Sequence, residues 1–230
     1  MSCMKPLFKT ICKIISSLII LSALNLRFTC AFLYYAGYIA APFPRSCAIA
    51  EFLFYLLLLY IQIFPTLSTH KISTSRNKIL EDGTALLQIF LTTTILECVC
   101  CLTLLTLSFS GMSGKAERTP FSFFTWIRYL LPVFLVELVL FWNGILRVYL
   151  TSVQLGIKWR VIGIACGFIP LVHIYVLCRI IRITDNEVQW ENEKYLLDQI
   201  RADTQECRTK YPILLVHGVF FRDFRFFNYW

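Results

Sequence analysis

Charge is what this sequence has least of: Asp, Glu, Lys and Arg make up 16% of its 230 residues, against roughly 25% in an ordinary soluble domain. With 57% hydrophobic residues beside it, that scarcity excludes a water-soluble globular class and leaves an integral membrane protein. A basic stripe with interleaved aromatics is missing as well. The net charge of +8 comes from Lys and Arg scattered between apolar runs, a pattern that sets membrane orientation and excludes a nucleic-acid partner. Histidine is down to three residues, and the ten cysteines lack the paired spacing that a tetrahedral metal site needs. Cys98-Val99-Cys100-Cys101 is the one cluster, and its thiols diverge around a helical turn. Cys12, Cys30, Cys98, Cys100, Cys101, Cys166 and Cys178 sit in or beside apolar stretches, where free cysteine packs as a small hydrophobe. No metal and no cofactor are implied. Internal repeats and low-complexity segments are absent too.

What is present is a series of long apolar runs. A membrane helix needs about 20 mostly apolar residues, and five segments qualify as spans: 14–41, 47–64, 85–109, 129–151 and 161–178. The first resembles a signal peptide's charged and apolar regions at its start, but apolar sequence resumes past Asn25 and Arg27, so an uncleaved span broken or tilted near Arg27 is expected. Short loops rich in Lys and Arg stay cytoplasmic. With five spans, Lys5, Lys9, Lys13, Lys71, Arg76, Lys78, Lys158 and Arg160 fall inside, whereas Arg45, Lys115, Arg118, Arg179 and Arg182 fall outside. The expectation is a multi-pass protein of a bacterial cell membrane, with the lipid bilayer as its first partner, a cytoplasmic N-terminus and an extracytoplasmic C-terminal segment.

Ionisable groups at bilayer depth cost about 2.5–3.5 kcal/mol each on insertion scales, so they are expected to find partners. Glu97, Glu137, Asn143 and Arg147 fall inside spans, and Arg128 lies at the edge of one. Pairing of the glutamates with Arg147 or Arg128 holds the bundle together in one reading; an ion or proton path is the other. Two acids without a broken-helix pair favour the first.

Thr184 opens a different composition. Thr184-Asp185-Asn186-Glu187 has the spacing of a capping box, which predicts a helix start there. Seven of the fourteen acids lie between Asp185 and Glu206, so residues 183–210 read as a soluble helical linker. After it comes "KYPILLVHGVFF". Ile213 to Val216 is a continuous apolar run between Pro212 and Gly218, the signature of a strand buried on both faces of a parallel sheet.

At these residues the chain resembles the lipase and esterase branch of the α/β-hydrolases, with its Tyr-Pro-(apolar)-Val-His-Gly segment. From about Val133 onward, through "FWNGILRVYLTSVQLGIKWRVIGI", it also resembles membrane-anchored lipase-like hydrolases of Gram-positive bacteria. The resemblance implies that residues 211–230 form the first strand and oxyanion turn of an α/β-hydrolase domain. His217 and Gly218 would shape the turn, and the Val219 N–H would help hold a tetrahedral oxyanion. It also implies a lipid or ester substrate for the full-length relative. The Gly-x-Ser-x-Gly elbow and the acid and His that follow it are absent from these residues. The expected architecture is therefore a helical membrane bundle of about five spans, a helical linker and the first strand of an incomplete hydrolase domain, with no catalytic residue in this chain. The alternative is a non-enzymatic membrane protein, a transport or assembly subunit whose C-terminal segment docks on a partner.

Overall fold

The computed structural model describes residues 4–35, 45–65, 74–109, 123–166 and 170–204. Among them the chain is entirely helical: α1 (Met4–Tyr35), α2 (Arg45–Ile63), α3 (Ser75–Phe109), α4 (Phe123–Thr151), α5 (Gly156–Ala165) and α6 (Pro170–Thr204). Two compact units divide at Asn192, Met1–Asn192 holding the bundle and Glu193–Trp230 the rest. The expected strand, 211–230, lies outside the described residues.

Three helices are long and apolar enough to cross a membrane, with their apolar windows at Thr10–Arg27, Ser75–Thr103 and Tyr129–Thr151; α2 contributes a shorter apolar stretch, Cys47–Ile63. The chain is thus a membrane protein with a helical bundle. Large apolar side chains such as Phe52, Leu102, Phe134 and Trp142 stand more than half exposed on its surface, as lipid-facing residues do when hydrocarbon takes the place of water. Hydroxyls on these helices bond back to the preceding turn, Thr84 to Leu80, Thr93 to Ile89 and Thr94 to Phe90, which satisfies those donors within their own helix. Pro132 is carried inside α4, one of the few places where a missing backbone N–H is tolerated because neighbouring helices and side chains compensate.

Contacts fix the directions. Lys13 bonds Gln88 and Asn25 bonds Glu97, so α1 and α3 run parallel. Arg27 meets Glu51 and Cys30 meets Cys47, so α1 and α2 run antiparallel. Asp82 with Arg147 and Thr94 with Glu137 make α3 and α4 antiparallel. One core joins Ile20, Leu24, Ile61, Leu86, Ile89 and Leu140 among α1 to α4; a second joins Leu80, Leu87, Ile145 and Val148 to Leu177 and Ile180 of α6.

Three sequence expectations change. Arg27 does not break the first span: α1 runs through it unbroken to Tyr35, because the Arg27 head stays 71% exposed and pairs with Glu51 while its helix continues. Thr184 does not start a helix. It lies inside α6, and its hydroxyl bonds the Ile180 and Ile181 carbonyls one turn back, since an unbroken apolar face upstream lets the helix run past the capping sequence.

The third concerns 161–178, expected as one span. It is divided between α5 and α6, with Ala165 ending the first and Pro170 beginning the second. Ten residues of α5 rise about 15 Å, half the hydrocarbon thickness. The His173 ring packs on Phe141 at 5.2 Å, and Phe141 is near the midpoint of the α4 window Tyr129–Thr151. Glu187 in turn meets Ser152 at the end of α4. α6 therefore begins at mid-bundle depth and runs parallel to α4. Gly156 makes the reversal possible with φ +64, a left-handed conformation that an L side chain disfavours.

Candidate functional site

The polar residues inside the bundle gather into separate clusters, each at a helix junction. In the first, Asn25 of α1, Glu97 of α3 and Tyr129 of α4 close a ring. Asn25 Nδ2 donates to Glu97 Oε1 at 2.8 Å, and the Tyr129 hydroxyl lies 2.6 Å from Asn25 Oδ1 and 3.1 Å from Glu97 Oε2. Three helices share one carboxylate, 4% exposed. Glu137 sits on α4 two turns deeper, within 3.1 Å of the Thr94 hydroxyl through Oε2, while its Oε1 has no hydrogen-bond partner among the described residues.

The second cluster closes the end of α2. Asn143 Nδ2 donates to the Gln62 backbone carbonyl at 2.9 Å and to Gln62 Oε1 at 2.7 Å. Arg147 Nη2 donates to the same carbonyl at 3.0 Å, its Nε donates to Asn143 Oδ1 at 3.0 Å, and its Nη1 lies 3.9 Å from Asp82 Oδ2. α2 ends at Ile63, so the Gln62 carbonyl is one of the four that no helical N–H can reach. Asn143 and Arg147 supply the missing donors.

The third cluster surrounds Glu187 of α6, 1% exposed. Its carboxylate accepts from the Ser152 hydroxyl at 2.5 Å, the Val153 N–H at 2.9 Å and the Gln154 N–H at 3.1 Å. Arg76 Nη1 stands 3.6 Å away. Arg76 also reaches Glu191 and the Thr151 carbonyl, Asn77 bonds Asn192, and Arg160 donates to the Ser152 carbonyl at 2.6 Å. The turn between α4 and α5 thus has its free N–H groups capped by a side chain from a different helix.

Of the residues expected to pair at membrane depth, the structure brings together Asn143 and Arg147; among the described residues Glu97 meets Asn25 and Tyr129, and Glu137 meets Thr94. Glu137 and Arg147 share α4, and ten residues separate them by about 15 Å along the axis, too far for a pair in cis. The side chain of Arg128, like His217, Gly218 and Val219, lies outside the described residues. Among the described residues no group of three His, Cys, Asp or Glu side chains could hold a metal ion. Asn25, Gln62, Tyr129 and Glu187 were not legible as partners, because each acquires its role only from the neighbouring helix. In comparisons with known proteins, no protein family, no characterised protein and no solved structure matches this chain.

Proposed function

We propose that this chain is the membrane anchor of a lipase- or esterase-like serine hydrolase, with Tyr211 to Val219 supplying the first strand and oxyanion turn of the catalytic domain. One observation carries the proposal: the apolar run Ile213 to Val216, set between Pro212 and His217-Gly218, has the composition of a buried parallel strand that ends in an anion-binding turn. The bundle supports an anchoring role. Its buried carboxylates Glu97, Glu137 and Glu187 are held by donors of neighbouring helices in separate clusters, which braces helices against one another.

The proposal requires a nucleophile elbow, an acid and a His in polypeptide outside these residues, and an ester substrate cleaved through an acyl-serine intermediate. The coding sequence that follows the Trp230 codon, translated in three frames, is expected to hold Gly-x-Ser-x-Gly with Asp or Glu and then His after it, within about two hundred codons. A fluorophosphonate probe is then expected to label membranes containing that longer product at the elbow serine. If all three frames lack the elbow, a non-enzymatic membrane subunit replaces the hydrolase.

The path of α5 and α6 supports a proposal for sidedness. Because α6 starts beside Phe141 and carries Glu187 to the end of α4, residues 184–192 leave the bundle at the face where α1 and α3 begin. Arg179 and Arg182 then join the eight cations already counted on the N-terminal side, leaving Arg45, Lys115 and Arg118 opposite. That distribution strengthens the positive-inside bias and supports a cytoplasmic assignment for this face, where five full spans would place it outside. A topology reporter fused after Asn192 is expected to read cytoplasmic. Alkaline phosphatase activity at that fusion would restore the fifth span.

A further inference from the structure

The two cysteines that the helical hairpin α1–α2 brings together have no part in the clusters described above. Cys30 Sγ lies 3.2 Å from Cys47 Sγ, and neither is in a disulfide. Cys30 is 5% exposed and Cys47 is partly exposed. One turn away along both helices, Arg27 and Glu51 form a two-point pair, Nε to Oε1 at 2.5 Å and Nη2 to Oε2 at 3.0 Å, so the register that faces the thiols is held independently of them. A disulfide has its sulfurs at about 2.05 Å, so bonding needs a further approach of roughly 1.1 Å from the observed 3.2 Å.

We infer that Cys30 and Cys47 are a redox-active pair that closes to a disulfide and staples α1 to α2 across residues 31–46. The oxidant is an external disulfide. The Cys47 thiolate, the accessible one, attacks one sulfur of that disulfide and releases the first external thiol. The Cys30 thiolate then attacks the Cys47 sulfur of the mixed disulfide, forming the Cys30–Cys47 bond and releasing the second. Two protein thiols are oxidised, one external disulfide is reduced to two thiols, and the two protons leave with the released thiols. Exchange of this kind favours a partly exposed attacking thiol with a resolving thiol beside it. Both cysteines lie near the end of α1 away from its lysines, the face that the positive-inside bias turns outward, where disulfides persist.

Trypsin makes the bond directly readable. Cleavage after Arg27, Arg45 and Lys71 places Cys30 alone on peptide 28–45 and Cys47 alone on peptide 46–71. Membranes containing the full chain are treated with oxidised glutathione, blocked with N-ethylmaleimide and digested. A linked species two hydrogens lighter than the summed peptides is expected, and dithiothreitol should divide it into its halves. Cys47→Ser should abolish the species and return Cys30 carrying maleimide, while Cys98→Ser should leave it intact. Recovery of both peptides fully maleimide-modified, glutathione retained on Cys47, or Cys30 linked to another cysteine or to a second copy would each overturn the pair. Because the digest reports on the wild-type chain, a variant that fails to fold does not obscure the result.

Discussion

Glu187→Ala is expected to destabilise the bundle by about 3 kcal/mol, judged from the cost of roughly 1–3 kcal/mol for each buried polar group left without a partner. The carboxylate serves three donors of the α4–α5 turn, the Ser152 hydroxyl and the Val153 and Gln154 N–H groups, with Arg76 alongside. Alanine removes this acceptor, while Arg76 keeps Glu191 and the Thr151 carbonyl. Ser152 can turn its hydroxyl elsewhere, but the two backbone donors cannot. Glu187→Gln keeps one acceptor oxygen in place, and its loss should be about half as large. Unfolding in detergent micelles gives the magnitude, and amide exchange gives the location: Val153 and Gln154 should lose protection in the alanine variant ahead of the rest of α4. Unchanged exchange at both would mean that Glu187 does not cap the turn.

The second large effect is expected at the α3–α4 seam. A Cβ on Gly144 would meet Leu87 Cδ2 at 2.9 Å, Leu87 Cγ at 3.0 Å and Leu86 Cβ at 3.2 Å; one on Gly83 would meet Arg147 Cβ at 2.8 Å and the Gly144 carbonyl oxygen at 3.1 Å. These two glycines let the backbones approach, as small residues do between membrane helices. Gly144→Leu forces the helices apart or rearranges the seam, and overpacking of this kind costs about 1–3 kcal/mol or more. Gly144→Ala should cost less, about 1 kcal/mol, since Leu87 can yield by a few tenths of an ångström. Leu87→Ala removes the two nearest atoms that the new methyl meets, leaving Leu86 Cβ at 3.2 Å. In a double-mutant cycle the two alanine changes should therefore cost less together than the sum of each alone. Strict additivity would show that the seam has room to spare.

The seam illustrates why part of the structure could not be read from the chain. Gly83, after Glu81-Asp82, and Gly144, after Asn143, have nothing in their own segments to distinguish a packing glycine from a tolerated one; the distinction is the other helix. Glu97 needs a partner on sequence grounds alone, because an ionisable side chain in an apolar run is costly wherever the run ends up. Its partners, Asn25 and Tyr129, belong to helices 72 and 32 positions away. Thr184 shows the converse error. Its capping-box spacing is real, but a helix already in progress consumes the threonine hydroxyl at Ile180 and Ile181, and local sequence cannot say whether the preceding turn is helical.

Composition and apolar run length by themselves determined that this is a helical membrane protein, because the cost of exposing backbone N–H and C=O groups to hydrocarbon allows few alternatives to a helix in such runs. Only the tertiary structure decided that 161–178 is divided between α5 and α6 with His173 against Phe141, that Glu187 closes the end of α4, and that Cys30 faces Cys47. Those outcomes depend on which helix faces come to lie against one another, and a register between distant segments is a property of the packed bundle that no single segment carries.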